Sequence, residues 1–478
     1  MKHSGDYEMV IGLEVHVELS TETKIFCGCP TAYGAEPNTQ VCPVCLGFPG
    51  TLPVLNERVV KSAVKAGLAL NCDITMVGKQ DRKNYFYPDL PKAYQISQSD
   101  LPIGMRGHLD IETAEGAKRI GITRIHIEED AGKLIHDGSV GTLIDYNRGG
   151  VPLIEIVSEP DFRSADEVKA YLQKLRATLR YLDVSTCKMN EGAFRCDVNL
   201  SIREKGAEAL GTRTEMKNLN SFSFITKAIE NEAQRQIKIL SAGGVITQET
   251  RRWDSDKGQS TAMRSKEDAH DYRYFPDPDL MPIVITETDL KLIRDELPRL
   301  PEDYKRDFIS AFGIKSTIAE QLITSKVVAD YFMECTKLSR HHEMISNLIV
   351  TELFRMLSGF EDEREMPLEP SALCELADLV GEERLTLGIA KRVLGEMCRT
   401  GKSAVEIIDM ADLWPIADYD KLFDLGAEIM IKMPQIKTDY LSGKTQALGA
   451  FMGQMMKLTN GKADPKKSEL VFHQLISE

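Results

Sequence analysis

The sequence predicts an α+β fold with a largely antiparallel sheet, followed by an almost wholly helical second part. Between residues 7 and about 290, short alternating segments recur, bounded by Gly, Pro or Asp, such as EVHVEL, TRIHIEE, PLIEIVSE and CDVNLSIR. This pattern is typical of strands. Two longer segments there, 165–182 and 222–239, have helical periodicity. Because strands outnumber helices and do not alternate strictly with them, an antiparallel sheet is favoured over a doubly wound fold.

Prolines divide the chain. The segment FPDPDLMP at 275–282 contains three prolines, and Pro298 and Pro301 follow. A helix cannot run through these positions, which indicates a domain boundary nearby. The later sequence, for example KVVADYFMECTKLSRHHEMISNLIVTELFRML, has helical periodicity. A further break near Gly401 leaves a small helical tail. We therefore expect three domains, 1–292, 293–405 and 406–478.

Composition limits the protein class. Of the 478 residues, 42% are apolar and 28% are charged, which is ordinary for a water-soluble protein. No run of 18 apolar residues predicts a transmembrane helix, and the N-terminus MKHSGDYEMV has no apolar core of a signal peptide. We therefore expect a cytoplasmic protein, whose ten cysteines should be reduced or metal-bound.

The charge distribution is uneven. The formal net charge of −14 argues against a protein covered by nucleic acid. The segment between residues 436 and 469, however, contains six lysines and three acidic residues. This local excess of positive charge indicates a possible phosphate-binding patch inside an acidic protein.

Four cysteines form a compact motif. Twelve residues separate the pair Cys27 and Cys29 from the pair Cys42 and Cys45. Two tight pairs joined by the turn-rich TAYGAEPNTQ can converge on one tetrahedral zinc ion. Free or redox-active thiols are the alternative. Because four sulfur ligands leave no open coordination position, this zinc would be structural. The other six cysteines are scattered, as expected for small buried residues.

A second candidate site lies on the strand segment IGLEVHVEL. Alternate residues of a strand share a face, so Glu14, His16 and Glu18 lie opposite the apolar positions. A solvent-facing polar side is the ordinary interpretation of one such strand.

Two further segments strengthen the case for a metal site. TRIHIEEDAG contains Glu128 and Glu129, and GGVPLIEIVSEPD sets Glu155 between two isoleucines. A carboxylate in such apolar surroundings needs a partner such as a cation when it is buried. Carboxylates from separate strands, together with one imidazole, suit Mg²⁺ that holds triphosphate oxygens.

Common phosphate-binding and hydrolase motifs are missing from the sequence. It contains no Gly-x-x-x-x-Gly-Lys-Ser/Thr loop, no kinase catalytic loop and no Gly-x-Ser-x-Gly. A metal-centred site with arginines that clamp phosphate remains open. The candidate arginines are Arg148, Arg195, Arg203 and Arg213.

Taken together, the motifs are similar to one family. IGLEVHVEL, CPVCLGFPGTLPVLN, KNYFYPDLPKAYQISQ, HIEEDAGK, NRGGVPLIEIVSEPD, TEMKNLNSF and AHDYRYFPDPDL resemble the B subunit of the bacterial glutamyl/aspartyl-tRNA amidotransferase. The ending, YLSGKTQALGAFMGQMMKLTNGKADP, resembles the tail domain of that family. The resemblance extends from about residue 7 to the end.

The resemblance implies both a reaction and partners. ATP would phosphorylate the side-chain carboxylate of Glu mischarged on tRNA-Gln, or of Asp on tRNA-Asn, and ammonia would displace the phosphate. The ammonia would come through a tunnel from the amidase partner, which is the A subunit of the enzyme, and the small C subunit would hold the two together. The first domain would be cradle-shaped, followed by the helical domain and the tail.

The resemblance also implies roles for individual residues. Glu14, His16 and Glu155 match the Mg²⁺ site, and HIEED supplies a further ligand. Glu128 and Glu129 are both catalytic candidates; the choice of metal ligand between them stays open, and the expected magnesium set is written with Glu129. Because all four cysteines are present, zinc is expected.

Further contacts are expected with substrate and tRNA. Candidates for phosphate or the tRNA acceptor end are Arg148, Lys217, Asn218 and Arg273, each with an ordinary structural role left open. In the tail, Lys444, Lys457 and Lys462 are expected to contact tRNA.

Two other functions compete with this interpretation. An ATP-dependent ligase for a free small carboxylate would be active without tRNA. A zinc-bearing RNA-binding scaffold would keep full turnover after Glu155→Gln or His16→Ala. The basic tail argues against the ligase, and the acidic face argues against the scaffold because acidic groups repel RNA unless a cation intervenes.

Overall fold

A computed structural model describes residues 6–137, 141–265, 271–357, 366–416, 418–442 and 444–477. The chain divides into two compact units, 1–300 and 301–478. The helix at Glu287–Asp295 belongs to the first unit, and its Ile293 joins that unit's core. No helix among the described residues is long and apolar enough to cross a membrane.

All the strands described lie in the first unit. They are β1 (Tyr7–Glu18), β2 (Asp73–Ile74), β3 (Val77–Gly78), β4 (Asp81–Asn84), β5 (Tyr94–Ser97), β6 (Gly104–Thr113), β7 (Gly116–Glu129), β8 (Lys133–Asp137), β9 (Gly141–Asp145), β10 (Pro152–Ser158), β11 (Phe194–Glu204), β12 (Thr214–Lys217), β13 (Glu249–Asp254), β14 (Gln259–Ser265), β15 (Phe275–Pro276) and β16 (Ile283–Val284).

One large sheet dominates this unit. Within the described ranges it has nine strands in the order β14-β13-β12-β11-β1-β10-β7-β6-β2. Every pair is antiparallel except β12 with β13. The expectation of a largely antiparallel sheet is therefore confirmed. The long strand β1 lies in the centre, hydrogen-bonded to β10 on one side and β11 on the other.

Helices cover one face of this sheet. The first unit contains α1 (Glu57–Ala69), α2 (Ala165–Tyr181), α3 (Phe222–Ser241) and α4 (Glu287–Asp295). Helices α2 and α3 confirm the two predicted helical segments, and they begin at the caps Ser164 and Ser221, whose side chains accept backbone N–H bonds. Their apolar sides share a core with Leu13, Val15 and Val17 of β1. The polar side chains of β1 point to the other face.

Smaller elements surround the large sheet. Strand β4 pairs with β5 and β15, β3 pairs with β16, and β8 pairs with β9. The four-cysteine segment lies between β1 and α1. Helix α1 was not among the helical segments that the sequence analysis predicted, although its apolar residues lie on one side of the helix.

The second unit is helical in its described part, as predicted. Its α-helices are α5 (Pro301–Ser310), α6 (Ser316–Leu322), α7 (Lys326–Leu338), α8 (His342–Leu348), α9 (Phe354–Leu357), α10 (Pro370–Gly381), α11 (Leu387–Thr400), α12 (Ala404–Met410), α13 (Tyr419–Lys432), α14 (Pro434–Leu441), α15 (Leu448–Leu458) and α16 (Pro465–Ser477). A π-helical turn, Ile349–Leu353, joins α8 to α9. Helices α13, α15 and α16 pack around Phe451 and Phe472, and a separate tail domain from residue 406 remains a prediction.

Candidate metal centres

Strand register assembles a polar cluster on the uncovered face of the sheet. His16 on β1 pairs directly with Glu155 on β10, and Glu155 pairs with His126 on β7. Directly opposed residues of neighbouring strands point to the same face. Glu128, two residues beyond His126, points to this face as well.

The side chains of these residues meet. Nε2 of His16 lies 3.4 Å from Oε2 of Glu155, and Nε2 of His126 lies 3.3 Å from the same oxygen. Nε2 of His126 is also 3.1 Å from Oε1 of Glu128. Ligand atoms of His16, Glu128 and Glu155 all lie within 4.8 Å of one another. We call these three residues the sheet cluster.

Neighbouring charges shift the pKa values of both carboxyl groups in the sheet cluster. Burial favours the neutral form of Glu155, yet hydrogen bonds with His126 and His16 hold the pKa of this carboxyl well below its ordinary value. Burial also opposes ionisation of Glu128, but the hydrogen bond and charge of His126, with Lys83, lower its pKa to about 2. Both carboxylates therefore favour the ionised form; burial opposes charge on the imidazoles of His16 and His126, but these carboxylates raise the pKa of both.

The side chains of the two adjacent glutamates of HIEED point to opposite faces of β7. Glu128 accepts hydrogen bonds from Oγ of Ser97 at 2.8 Å and from Nε2 of Gln95 at 3.2 Å, beside the cluster. Glu129 points away and binds Nζ of Lys92 at 2.5 and 2.7 Å. Successive strand residues face opposite sides. Of the two glutamates, Glu128 therefore lies beside His16 and Glu155, whereas Glu129, written in the expected magnesium set, lies on the opposite side of the strand.

A second acidic group lies next to the sheet cluster. Carboxylate oxygens of Glu14, Asp197 and Glu215 lie within 4.8 Å of one another, on β1, β11 and β12. Nδ2 of Asn199 donates to Glu14 at 2.9 Å. Burial and the charge of Glu155 raise the pKa of Glu14. We call these three residues the acidic triad; the structure therefore groups Glu14 with two acids that the sequence analysis did not single out.

Lys217 neutralises part of the acidic triad. Its Nζ lies 2.5 Å from Oδ2 of Asp197 and 3.0 Å from Oε1 of Glu215. Burial alone would lower the pKa of Lys217, but the charges of Asp197 and Glu215 raise it. Lys217, one of the predicted substrate contacts, thus lies between the two carboxylates, where its ammonium group can also contact an anionic ligand.

A cavity of about 670 Å³ extends from Asp197 along this face. Its walls include Arg148 and Asn218, two of the predicted substrate contacts, and also Glu18 and Arg195. Both arginines form ion pairs with Oδ2 of Asp130. Nη2 of Arg195 lies 2.6 Å and Nε of Arg148 lies 3.5 Å from this oxygen. The cavity therefore has a polar lining with charges of both signs beside the acidic triad.

Arg273, the fourth predicted contact, lies on a separate loop. It is exposed and has a left-handed backbone with φ of 46°, which is uncommon for a non-glycine residue. Nδ2 of Asn84 donates to its carbonyl oxygen at 2.9 Å and holds the loop in place. The neighbouring Tyr272 ring lies 5.0 Å from Nζ of Lys83, and that Nζ is 3.9 Å from Glu128.

The four cysteines converge, as the spacing predicts. Their Sγ atoms all lie within 4.8 Å of one another, and those of Cys42 and Cys45 are 4.0 Å apart. Sulfurs about 3.8 Å apart fit a tetrahedral ion with metal–sulfur bonds of about 2.3 Å. The backbone N–H of Cys42 also donates to Sγ of Cys45 at 3.2 Å. We call this segment the knuckle, and its donor set fits zinc.

The tail lysines differ in their surroundings. Lys462 pairs with Asp412 at 2.8 Å and Lys444 pairs with Asp439 at 3.2 Å. Lys457 is exposed at the end of α15, and among the described residues it forms no ion pair. Of the three, Lys457 is best placed to bind an added phosphate.

Sequence reasoning missed part of the site. The His126 position could have been found, because IHIEE repeats the alternation of apolar and ligating residues seen in EVHVE. Asp197 in CDVNLSIR and Glu215 in TEMK also alternate with apolar residues, but alternation does not show which strands become neighbours. Only the pairing of Glu14 with Asp197, and of Asn199 with Glu215, brings them together.

Two family models and several known proteins match this chain over most of its length. A family model described as GatB/GatE catalytic domain matches residues 9–291, and one described as GatB domain matches residues 330–476. The chain is 52% identical to the aspartyl/glutamyl-tRNA(Asn/Gln) amidotransferase B subunit of Caldanaerobacter subterraneus, over 99% of this chain and 100% of the relative. Similar proteins with the same name occur in Caldicellulosiruptor bescii, 52% identical over 96% and 97% of the two chains, and Carboxydothermus hydrogenoformans, 49% identical over 96% and 97%.

Proposed function

The chain belongs to the family of aspartyl/glutamyl-tRNA(Asn/Gln) amidotransferase B subunits, and we propose that it carries the activating and amidating site of such an enzyme. The side-chain carboxylate of Glu on tRNA-Gln, or of Asp on tRNA-Asn, is phosphorylated by ATP. Ammonia then replaces the phosphate to give the amide. The enzyme is a ligase that uses glutamine as amide donor and serves protein synthesis.

The sheet cluster is the observation that carries this proposal. One imidazole and two ionised carboxylates from three adjacent strands converge within 4.8 Å. Mg²⁺ accepts such ligands and keeps further positions for water and phosphate oxygens. We propose His16, Glu128 and Glu155 as its holders. When bound, the ion neutralises charge that develops on the transferred phosphoryl group.

The acidic triad and Lys217 would bind the phosphate region of ATP. Three carboxylates repel a triphosphate unless cations intervene. Lys217 supplies one positive charge, and a second divalent ion bound by Glu14, Asp197 and Glu215 would supply more. Both groups lie on one face of the sheet, so they can hold the nucleotide from two sides.

The reaction then proceeds in two steps, phosphorylation of the carboxylate and replacement of the phosphate by ammonia. A carboxylate oxygen of the aminoacyl group attacks the γ-phosphorus, and the bond from phosphorus to the bridging oxygen breaks to release ADP. Ammonia attacks the acyl carbon of the resulting acyl phosphate; phosphate leaves and one proton is lost to give the amide. The cavity lined by Arg148, Arg195 and Asn218 is suited to the aminoacyl end of the tRNA.

Other parts of the chain would support this chemistry. We propose that the knuckle binds structural zinc through its four cysteines. The amidase partner would deliver ammonia through a tunnel, and the small third protein of the heterotrimer would stabilise the assembly in the cytoplasm. The first domain would be the cradle-shaped domain that carries this site. The tail from residue 406 would bind tRNA through Lys457, with Lys444 and Lys462 contributing once their acidic partners are displaced.

An assay that bypasses the amidase tests the proposal. The complex is supplied with mischarged Glu-tRNA, ATP, Mg²⁺ and ammonium chloride, and Gln-tRNA is measured for wild type and His16→Ala. We expect conversion by wild type and loss in the variant, with tRNA binding retained. Equal conversion would move the activating site elsewhere. Product from free glutamate without tRNA would favour the small-molecule ligase instead.

A further inference from the structure

Lys24 is a buried lysine next to the knuckle. Its side chain is fully enclosed, with 1% of the residue exposed, three residues before Cys27. An ammonium group is almost never buried this deeply without a partner, because the loss of its hydration is unfavourable. The contacts of Lys24 therefore need a functional or structural explanation.

The partners of Lys24 are a sulfur atom and a carbonyl oxygen. Nζ lies 3.7 Å from Sγ of Cys45 and donates to the carbonyl oxygen of Tyr146 at 3.2 Å. Among the described residues, no carboxylate forms an ion pair with Lys24. Lys24 and Glu129 both line a small cavity beside the knuckle, but the carboxylate of Glu129 is engaged by Lys92.

The charge of a loaded knuckle explains this arrangement. Four thiolates and one Zn²⁺ ion carry a net charge of −2, and the knuckle is partly enclosed. A buried ammonium in N–H···S contact offsets half of that charge. Such outer contacts orient the ligands of a metal and stabilise the bound state.

Lys24 also joins the knuckle to the sheet. Tyr146 and Gly150 flank the loop that leads into β10, and the N–H of Ile25 donates to the carbonyl oxygen of Gly150 at 3.0 Å. The N–H of Gly150 donates to the carbonyl oxygen of Asp130 at 2.9 Å, just beyond β7. A Cβ added at Gly150 would meet Cδ of Lys24 at 3.6 Å and Cβ of Cys45 at 3.7 Å. The loop therefore packs closely between the knuckle and the strand end that carries Glu128.

We propose that Lys24 is a positioning residue of the zinc knuckle: its ammonium donates to the Cys45 thiolate, offsets the negative charge of the loaded site, and fastens the knuckle to the loop 146–150. This inference rests on the proposed zinc site. It assigns the lysine to retention of zinc and to order in the loop, and gives it no part in the transfer of phosphate.

Zinc release from the full-length chain tests this role. Wild type, Lys24→Met and Lys24→Gln are purified with zinc, their zinc content is measured by mass spectrometry, and release to a chromogenic chelator is timed. Lys169→Met, an exposed lysine on α2, is the control for loss of one charge. We expect release about tenfold faster or more in Lys24→Met, an intermediate rate in Lys24→Gln, which keeps an N–H donor, and the wild-type rate in Lys169→Met.

A second readout locates the effect. Hydrogen exchange of the zinc-loaded proteins should be faster in Lys24→Met at the amides of Ile25 and Gly150, with α2 unchanged. Equal zinc release in Lys24→Met and wild type would overturn the proposal. If Lys24→Met does not fold, Lys24→Arg must hold zinc longer than Lys24→Gln, and equal rates would overturn it. A wild-type chain without zinc would instead refute the proposed metal site itself.

Discussion

The knuckle and the sheet cluster both gather metal-binding side chains, but they do so in different ways. The knuckle uses four sulfur atoms from one short stretch of chain, all within 4.8 Å, and leaves no ligand position for substrate. The sheet cluster uses one imidazole and two carboxylates from three strands that are distant in sequence, with a cavity nearby. A closed sulfur site suits a structural ion, whereas an open oxygen-rich site suits Mg²⁺ and phosphate chemistry.

The difference also concerns what each site depends on. The knuckle depends on local turns, such as the hydrogen bond from Leu46 N–H to the Cys42 carbonyl oxygen at 3.0 Å. The sheet cluster depends on the register of β1, β7 and β10, since a shift by one residue would turn Glu155 to the other face. Substitutions should therefore separate the two sites: one class removes activity and the other removes zinc.

The largest effect on activity is expected from Glu155→Gln. It keeps the size of the side chain but removes the charge that His16 and His126 both contact. We expect ammonium-dependent formation of Gln-tRNA to fall by about 100-fold or more. Zinc content and circular dichroism should stay at wild-type values. Retained activity would show that the sheet cluster is not the activating site.

A matched pair of neighbours sharpens the assignment of the sheet cluster. Glu128→Gln should raise the Mg²⁺ concentration needed for half-maximal activity by about tenfold or more. Glu129→Gln should alter this requirement much less, because its carboxylate binds Lys92 on the opposite side. Titration of the assembled complex with Mg²⁺ measures both. The reverse order would restore Glu129 to the magnesium site.

Cys42→Ser should affect the knuckle in the opposite manner. Loss of one thiolate is expected to release zinc and to lower the melting temperature by roughly 5 °C or more, because metal binding contributes to folding stability. Activity at low temperature should fall only a few-fold. Metal analysis and calorimetry provide the measurement, and zinc content equal to wild type would contradict a four-sulfur site.

The smallest effect is expected in the tail, remote in sequence from both sites. Lys457→Ala should weaken tRNA binding by roughly two- to five-fold and make it less sensitive to salt, since about one phosphate contact is lost. Lys462→Ala is the matched control, because this ammonium already pairs with Asp412 at 2.8 Å and should contribute less. Fluorescence anisotropy at several salt concentrations distinguishes them. Identical salt slopes for wild type and both variants would remove these lysines from the interface.

Sequence patterns predicted the elements of these sites better than their grouping. Alternation placed His16 and Glu14 on one face of β1, and the cysteine spacing predicted a cluster that the structure confirms. Neither pattern states which strands become neighbours. Glu14 lies next to Asp197 and Glu215 because strands β1, β11 and β12 pair over a long distance in sequence. No local sequence signal encodes that strand pairing. The choice between Glu128 and Glu129 was within reach, because strand alternation groups Glu128 with His126.

Separate measurement of the two bound metals tests the central claim most directly. Full-length wild type, Glu155→Gln and Cys42→Ser are titrated with Mn²⁺, as a paramagnetic substitute for Mg²⁺, and free Mn²⁺ is followed by electron paramagnetic resonance while zinc is quantified by mass spectrometry. We predict that Glu155→Gln binds one Mn²⁺ ion fewer per chain than wild type, the ion of the sheet cluster, and keeps zinc, whereas Cys42→Ser loses zinc and keeps the wild-type number of Mn²⁺ ions. Unchanged Mn²⁺ binding in Glu155→Gln, or loss of both metals from either substitution, would contradict two independent metal centres.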